Sequence, residues 1–312
     1  MRCDLHVHTR FSGPVDLPGL RHVSRECYSE PAEVYLVAKR RGLDLVTITD
    51  HDTIEGALQL AHLPDFIVGE EVTCEIGPGR QIHLGVWDLD ESHHHQISTR
   101  RRDPEALFAW LAENQIPACI NHPFSPLTGA RQIGDFARAF RGLDLIETQN
   151  GMMPPATNEF AVRAGRLHGL SAVGGSDAHT LSGIGRAFTT VPRATSRAEF
   201  LDGLRHGFCV PSGDSGSYAR LTSDVIRVFG GTLHENTGLA LRSLRDFARF
   251  LAVTPALPIL TLIPLVTLVS FAREAWGGRA LYRSFQATQP DPSRPRRRTG
   301  LLAPRLAFGG EQ

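Results

Sequence analysis

Six short stretches of this 312-residue chain carry side chains able to hold a metal ion. They are Asp4-Leu5-His6-Val7-His8, Thr49-Asp50-His51-Asp52, Gly69-Glu70-Glu71-Val72-Thr73, Ile82-His83-Leu84-Gly85, Asn121-His122-Pro123 and Gly175-Ser176-Asp177-Ala178-His179. One histidine in isolation says little. Six stations, each near the end of an apolar run, point to a shared centre. Imidazole combined with carboxylate suits Zn, Mn, Fe or Ni, and a carboxylate among them can bridge two ions.

The segments between the stations indicate how they are brought together. Short β-type runs occupy 3–7, 43–49, 65–68, 81–86, 116–120, 143–148 and 170–174. Helix candidates lie between several of them. Residues 31–41 have Pro31 in the first turn and Gly42 just past the end. Asp103 and Pro104 are placed as N-cap and first helical residue of a helix reaching about Asn114. Residues 156–168 end at Gly169. This alternation predicts an α/β fold with a parallel sheet or barrel. In such barrels chemistry collects at the C-terminal strand ends, and His51, Glu71, His122, Asn150 and Asp177 each follow their runs. His6 and His8 are two apart on one strand, so they share a face.

Bulk composition narrows the partners. Lys plus Arg and Asp plus Glu are 33 each, so no net charge draws the chain to long duplex nucleic acid. The five cysteines are scattered without a CxxC pair, which predicts buried thiols in a reducing, cytoplasmic compartment. Charged residues begin at Arg2, so no signal peptide is read. Residues 211–217 read as a loop and a domain edge. Beyond it, 216–285 is expected to be a helical extension and 286–312 a disordered basic tail. Within the extension, 251–272 holds no charge and is long enough to span a bilayer. It would anchor the protein to a membrane, or else pack as an apolar helix on the barrel or on a second subunit.

The stretches at 4–8 and 49–52, with Glu71, His83, His122 and 177–179, resemble the PHP (polymerase and histidinol phosphatase) family over about residues 1–215. The resemblance implies a distorted seven-stranded, TIM-like (β/α) barrel with two or three divalent ions (Mn, Zn, Fe or Mg). It places His6, His8 and Asp177 on one ion, with Glu71 bridging to a second held by His83 and His122. His51 and His179 would hold a third. Many members carry an aspartate for that third ion at the position of Gly13, where this chain instead begins an insertion running to about Cys27. Asp16 or Glu30 are the substitutes considered. The metal-dependent phosphoesterase branch fits best, acting on a small or nucleotide-like phosphomonoester, a nucleoside 3′,5′-bisphosphate or a short RNA end.

Phosphomonoester hydrolysis needs large transition-state stabilisation, and two ions about 3.5–4 Å apart can supply it through an activated water. Glu71, His83, Asp177 and His179 are the catalytic candidates. Asp50 and Asp52 are expected to orient His51 rather than bind an ion. Arg10, Arg131 and Arg186 are candidates for gripping the phosphate. Glu70 is expected to be a neighbour of Glu71 only. Glu147 and Asn150 either face the centre or make strand-end hydrogen bonds. His93-His94-His95 is assigned to an exposed loop spanning 88–102. Two rival functions stand beside the phosphoesterase. One is amidohydrolase-type C–N hydrolysis, which usually employs a bridging lysine, whereas Lys39 is the only lysine. The other is a non-catalytic metal-binding module associated with a membrane.

Overall fold

The computed structural model describes residues 1–15, 24–129, 131–240 and 261–289. In chain order the elements are β1 (Arg2–Cys3), α1 (Pro31–Arg40), β2 (Val46–Ile48), α2 (Glu55–Leu58), β3 (Phe66–Gly77), β4 (Arg80–Trp87), α3 (Glu91–Arg100), α4 (Pro104–Glu113), β5 (Ala118–Ile120), α5 (Ile133–Gly142), β6 (Leu145–Asn150), α6 (Pro155–His168), β7 (Ser171–Gly175), β8 (Ala187–Thr190), α7 (Arg197–Arg205), β9 (Val210–Gly213), α8 (Tyr218–Ala240) and α9 (Ile263–Thr288). Local chemistry explains several boundaries. The Asp103 carboxylate accepts from Ala106 N at the start of α4. Helix α6 ends at Gly169, whose φ of +71° suits the left-handed cap.

Strands β2 to β7 form one six-stranded sheet in sequential order, and β1, β8 and β9 form a smaller one. The large sheet curls. Its two edges are joined through residues 3–8, which bridge Leu45 beside β2 and Ala178 beyond β7. The joining bonds include Thr49 N to Val7 O at 2.8 Å, Asp177 N to His6 O at 2.8 Å and His8 N to Ala178 O at 3.0 Å. The segment carrying His6 and His8 therefore closes the ring. It does so by isolated bridges, where the sequence predicted an ordinary strand.

Several expectations need correction. The sheet is not wholly parallel, because β4 runs antiparallel to both β3 and β5. Strands β3 and β4 form a hairpin turning at Pro78-Gly79, with Gly79 at φ +64°. Strand β3 is also far longer than 65–68, so Glu71 lies within a paired strand, opposite Gly85. The predicted loop at 88–102 contains α3. The predicted loop at 211–217 begins as β9, paired with β8.

Period-2 geometry layers the ring interior. Ile67, Trp87, Cys119, Leu145 and Val173, one from each of β3 to β7, pack with Leu5 as an apolar floor. Trp87 is anchored there by an Nε1 bond to Leu5 O at 3.1 Å. Its ring covers Gly69 and Gly85, where a Cβ would approach it to 2.9 and 2.8 Å. Two residues further along the same faces come Glu71 on β3 and His83 on β4. The floor thus seals one end of the ring and leaves the other to the ligand stations.

Outside the sheet, α9 packs against α5, α6 and α8. Tyr282 and Phe285 are buried among Phe124, Phe136 and Phe160, and Tyr282 stacks on Phe160 at 4.5 Å between ring centroids. Residues 251–260 of the predicted apolar span, and 290–312 of the predicted tail, lie outside the described residues. Among the described residues no helix is long and apolar enough to cross a membrane. All five cysteines are free, and four are buried.

Candidate metal centre

The interior histidines gather around the two oxygens of Glu71. Oε1 lies 3.3 Å from His83 Nδ1 and 3.1 Å from His122 Nε2. Oε2 lies 3.2 Å from His6 Nε2, 3.3 Å from His8 Nε2 and 3.3 Å from His51 Nδ1. A second carboxylate closes the near side: Asp177 Oδ1 is 3.5 Å from His6 Nε2 and 3.4 Å from His8 Nε2. His179 Nδ1 stands 3.7 Å from the same oxygen. Four overlapping sets bring their donor atoms within 4.8 Å of one another: His6-His8-Asp177, His6-Glu71-His122, His51-Glu71-His83 and His8-His51-His179. All eight residues singled out as ligands in the sequence are in this cluster. The second and third sets partition them differently from the expectation, with His51 serving two groups.

The donor chemistry fits divalent cations. His6 Nδ1 is held 2.9 Å from Glu147 Oε1, so its proton belongs on that side and the Nε2 lone pair faces the centre. His8 Nδ1 lies 2.9 Å from Ser12 Oγ, which donates in turn to Asp50 Oδ1 at 2.8 Å. That chain again leaves Nε2 as a lone pair. Both Nε2 atoms and His83 Nδ1 are buried without a hydrogen-bond partner. Lone pairs aimed at carboxylate oxygens 3.2–3.5 Å away repel unless positive charge lies between them.

Protonation equilibria carry the same message. Burial disfavours the Glu71 and Asp177 anions, yet His6 and the neighbouring imidazoles outweigh it and hold both well below the usual carboxylate range. Burial also pulls His6 down, but Asp177, Glu71 and Glu147 raise it well above the usual value. His8 is pushed down to about 4 by burial, with His179 adding to the effect. Burial likewise drives His51 well below its usual value. The pocket demands positive charge: the carboxylates raise His6 and His122, whereas burial makes His8 and His51 resist protonation.

Several supporting residues were not assigned from sequence. Asn121 Nδ2 donates to Glu71 Oε1 at 2.9 Å. Glu147 bonds His6 and accepts from His122 N at 2.8 Å and Asn150 Nδ2 at 2.9 Å. Asn150 Nδ2 also reaches Asp177 Oδ2 at 3.1 Å, so both residues left open by the sequence face the centre. Buried Asp4, raised to about 6 by desolvation, accepts from Ser176 N and Gly185 N and ties residues 3–8 to the last station. The residue beside His51 at the mouth of the centre, Glu26, carries no sequence signal of its own: its Oε2 is 3.4 Å from His51 Nε2.

Other assignments change. Asp50 binds Thr9 and Ser12 and so orients His8, rather than its neighbour His51. Asp52 accepts from Thr73 N at 2.8 Å and from Arg101 at 2.7 Å, which pins β3. Glu70 points away from Glu71 and meets His94 Nδ1 at 2.7 Å. His93-His94-His95 is helical, and His94 is tied to β3 instead of lying in an open loop. The three arginines have local partners. Arg10 pairs with Glu30 and Glu235. Arg131 is half-buried, lowered by desolvation to about 10, and donates to Pro123 O and Ser125 O. Arg186 donates to Ser182 O.

Among the described residues the centre opens toward His51 and His179. His6, His8, Glu71 and His122 are buried, whereas the side chains of His51 and His179 are 22 % and 25 % exposed. Beside His179 lies a cavity of about 330 Å³ lined by Tyr28, Ser29, Thr180, Ser182 and Arg227.

Comparison with known proteins agrees with this picture. Residues 155–209 match a family model described as PHP-associated. Over 135 residues the chain is 29% identical to the uncharacterized protein MJ1587 of Methanocaldococcus jannaschii, covering 43% of this chain and 74% of that protein. Among solved structures, PsfC from Pseudomonas syringae PB-5123 is similar in fold, with a TM-score of 0.51 at 18% identity over 73% of this chain and 98% of PsfC. A two-domain protein from Bacteroides vulgatus, described as containing a predicted PHP-like metal-dependent phosphoesterase, gives a TM-score of 0.48 at 20% identity over 75% of this chain and 70% of its own. The family match thus covers residues 155–209, and the likeness of fold extends over most of the chain.

Proposed function

We propose that this protein is a divalent-metal-dependent phosphoesterase that hydrolyses a phosphomonoester on a small or nucleotide-like molecule, such as a nucleoside 3′,5′-bisphosphate or a short RNA end. The observation that carries the reading is Glu71, a buried carboxylate whose two oxygens each face a separate group of histidines. That is the arrangement of a bridge between two ions. His6, His8 and Asp177 would hold one ion and His83 and His122 another, both sharing Glu71. Mn, Zn, Fe and Mg all suit this mixed imidazole and carboxylate set.

When bound, such ions neutralise charge developing on a phosphoryl group and lower the pKa of a water so that it attacks at neutral pH. The protein's own groups do the rest. Glu147 and Ser12 fix the tautomers of His6 and His8, so both present lone pairs without reorganising. Asn121 and Asn150 hold the two carboxylates in place. The apolar floor under Trp87 excludes water from behind, and the exposed side at His51 and His179 admits substrate. A C–N hydrolase with a bridging lysine is disfavoured, because Lys39 is paired with Asp65 at 2.8 Å on the surface.

The direct test is phosphate release from a panel of phosphomonoesters and nucleoside 3′,5′-bisphosphates by Mn-loaded protein. The expected result is release that a chelator stops and that His8→Ala abolishes. Release unchanged in His8→Ala protein of verified metal content refutes the assignment.

A further inference from the structure

The third pair of histidines, His51 and His179, lacks the carboxylate that the resemblance places at position 13. Gly13 occupies that position with φ +92°, and a Cβ there would meet nothing within 4 Å. The space is therefore open. The chain after Gly13 leaves and returns as a short antiparallel ladder. Val15 N donates to Ser24 O at 3.1 Å, Pro14 bridges Arg25, and Glu26 N donates to Gly13 O at 3.2 Å. Pairing across this ladder sets Glu26 opposite Gly13, at the mouth of the centre.

The returning arm is fastened on both sides of Glu26. Arg25 Nε pairs with Glu235 of α8 at 3.3 Å, and Ser24 Oγ meets Thr232 Oγ1 at 2.8 Å. Buried Cys27 lies against His8 O at 3.3 Å. So held, Glu26 Oε2 sits 3.4 Å from His51 Nε2. This spacing falls within the 3.1–3.7 Å found between carboxylate oxygens and imidazole nitrogens around Glu71 and Asp177. Two atoms that bind one ion at about 2.0–2.2 Å in tetrahedral geometry stand at such a separation. His51 in turn shares a donor group with His8 and His179. Of the two substitutes considered, Glu30 pairs with Arg10, and Asp16 lies outside the described residues.

We propose that Glu26, delivered by the insertion, supplies the carboxylate donor for a third divalent ion held with His51 and His179. The inference rests on the metal-dependent reading above. It makes the insertion a replacement of the ligand absent at Gly13: the carboxylate reaches the same histidine from the opposite arm of the ladder.

The test is metal content, by inductively coupled plasma mass spectrometry, of full-length protein reconstituted with Mn or Zn and freed of loose metal. Wild type is expected to hold three ions per chain, Glu26→Gln two, and Glu26→His three. Glutamine keeps an oxygen that can accept a hydrogen bond from His51, so loss of an ion separates a donor from a mere hydrogen-bond partner. Histidine restores a donor. Equal metal content in wild type and Glu26→Gln overturns the proposal, as does loss of every ion in Glu26→Gln with failed restoration in Glu26→His. Wild type that holds no metal refutes the metal-dependent reading itself.

Discussion

Glu274 gives the sharpest test of how the C-terminal helix sits on the ring. It lies on α9, is buried, and accepts from Ser125 Oγ at 3.1 Å, three residues after His122. Burial raises it from the usual 4.5 to about 7. A carboxyl with a raised folded pKa keeps its proton in the native state while the unfolded chain loses it. Its contribution is therefore fully present below about pH 4.5 and is lost as pH rises through 7. Every tenfold difference in proton affinity between the two states corresponds to about 1.4 kcal/mol, so the rise from 4.5 to about 7 caps the effect at about 3.4 kcal/mol. Between about pH 5 and pH 8.5 the part that changes is about 2.5 kcal/mol. Glu274→Gln removes the titration and keeps the shape. Urea unfolding of both proteins at the two pH values should show the variant gaining about 2.5 kcal/mol on wild type at the higher pH. Any pH effect common to both proteins, including that of bound metal, cancels in the comparison. A stability difference that is the same at both pH values would refute the burial of Glu274, and with it the packing of α9 against the ligand loop.

Two further outcomes follow from the same contacts. Glu147→Ala removes the group that fixes His6 and the backbone of His122. Metal affinity, measured by competition with a chromophoric chelator, should fall about 10–100-fold with the fold retained; an unchanged affinity sinks that positioning role. Phe285→Ala opens a hole in the aromatic cluster of α9 and should cost about 3–5 kcal/mol by denaturant unfolding. A cost below about 1 kcal/mol would mean that α9 does not pack as described.

The ligand stations were legible because each obeys a local rule. His6 and His8 share a face by the period of two, and His51, His122 and Asp177 follow runs too apolar to be anything but buried strands. Helix starts at Pro31 and Pro104 were likewise readable from cap chemistry. What escaped the sequence depended on partners far along the chain. The direction of β4 is set by the Pro78-Gly79 turn, whose brevity leaves no room for a crossover helix. Helix α3 was hidden because only Ile97 of it is buried, so no apolar stripe marks it. Glu147 gains its role only once β6 lies beside residues 3–8. Glu26 is invisible as a ligand until the ladder with Gly13 has formed.

The closure of the ring through residues 3–8 has a consequence for the order of events in folding. His6 and His8 meet Asp177 and Ala178 across some 170 intervening residues, so that seam is among the most non-local contacts in the chain. Contacts of this kind form late, after the intervening loops have been drawn in. Six of the eight clustered residues lie on one side of the seam, and Asp177 with His179 on the other. High-affinity loading therefore has to wait for closure, and metal capture would report that the ring is complete. An ion taken up at that stage would also act as a rivet across the weakest join, stabilising the closed state by mass action over any opened form.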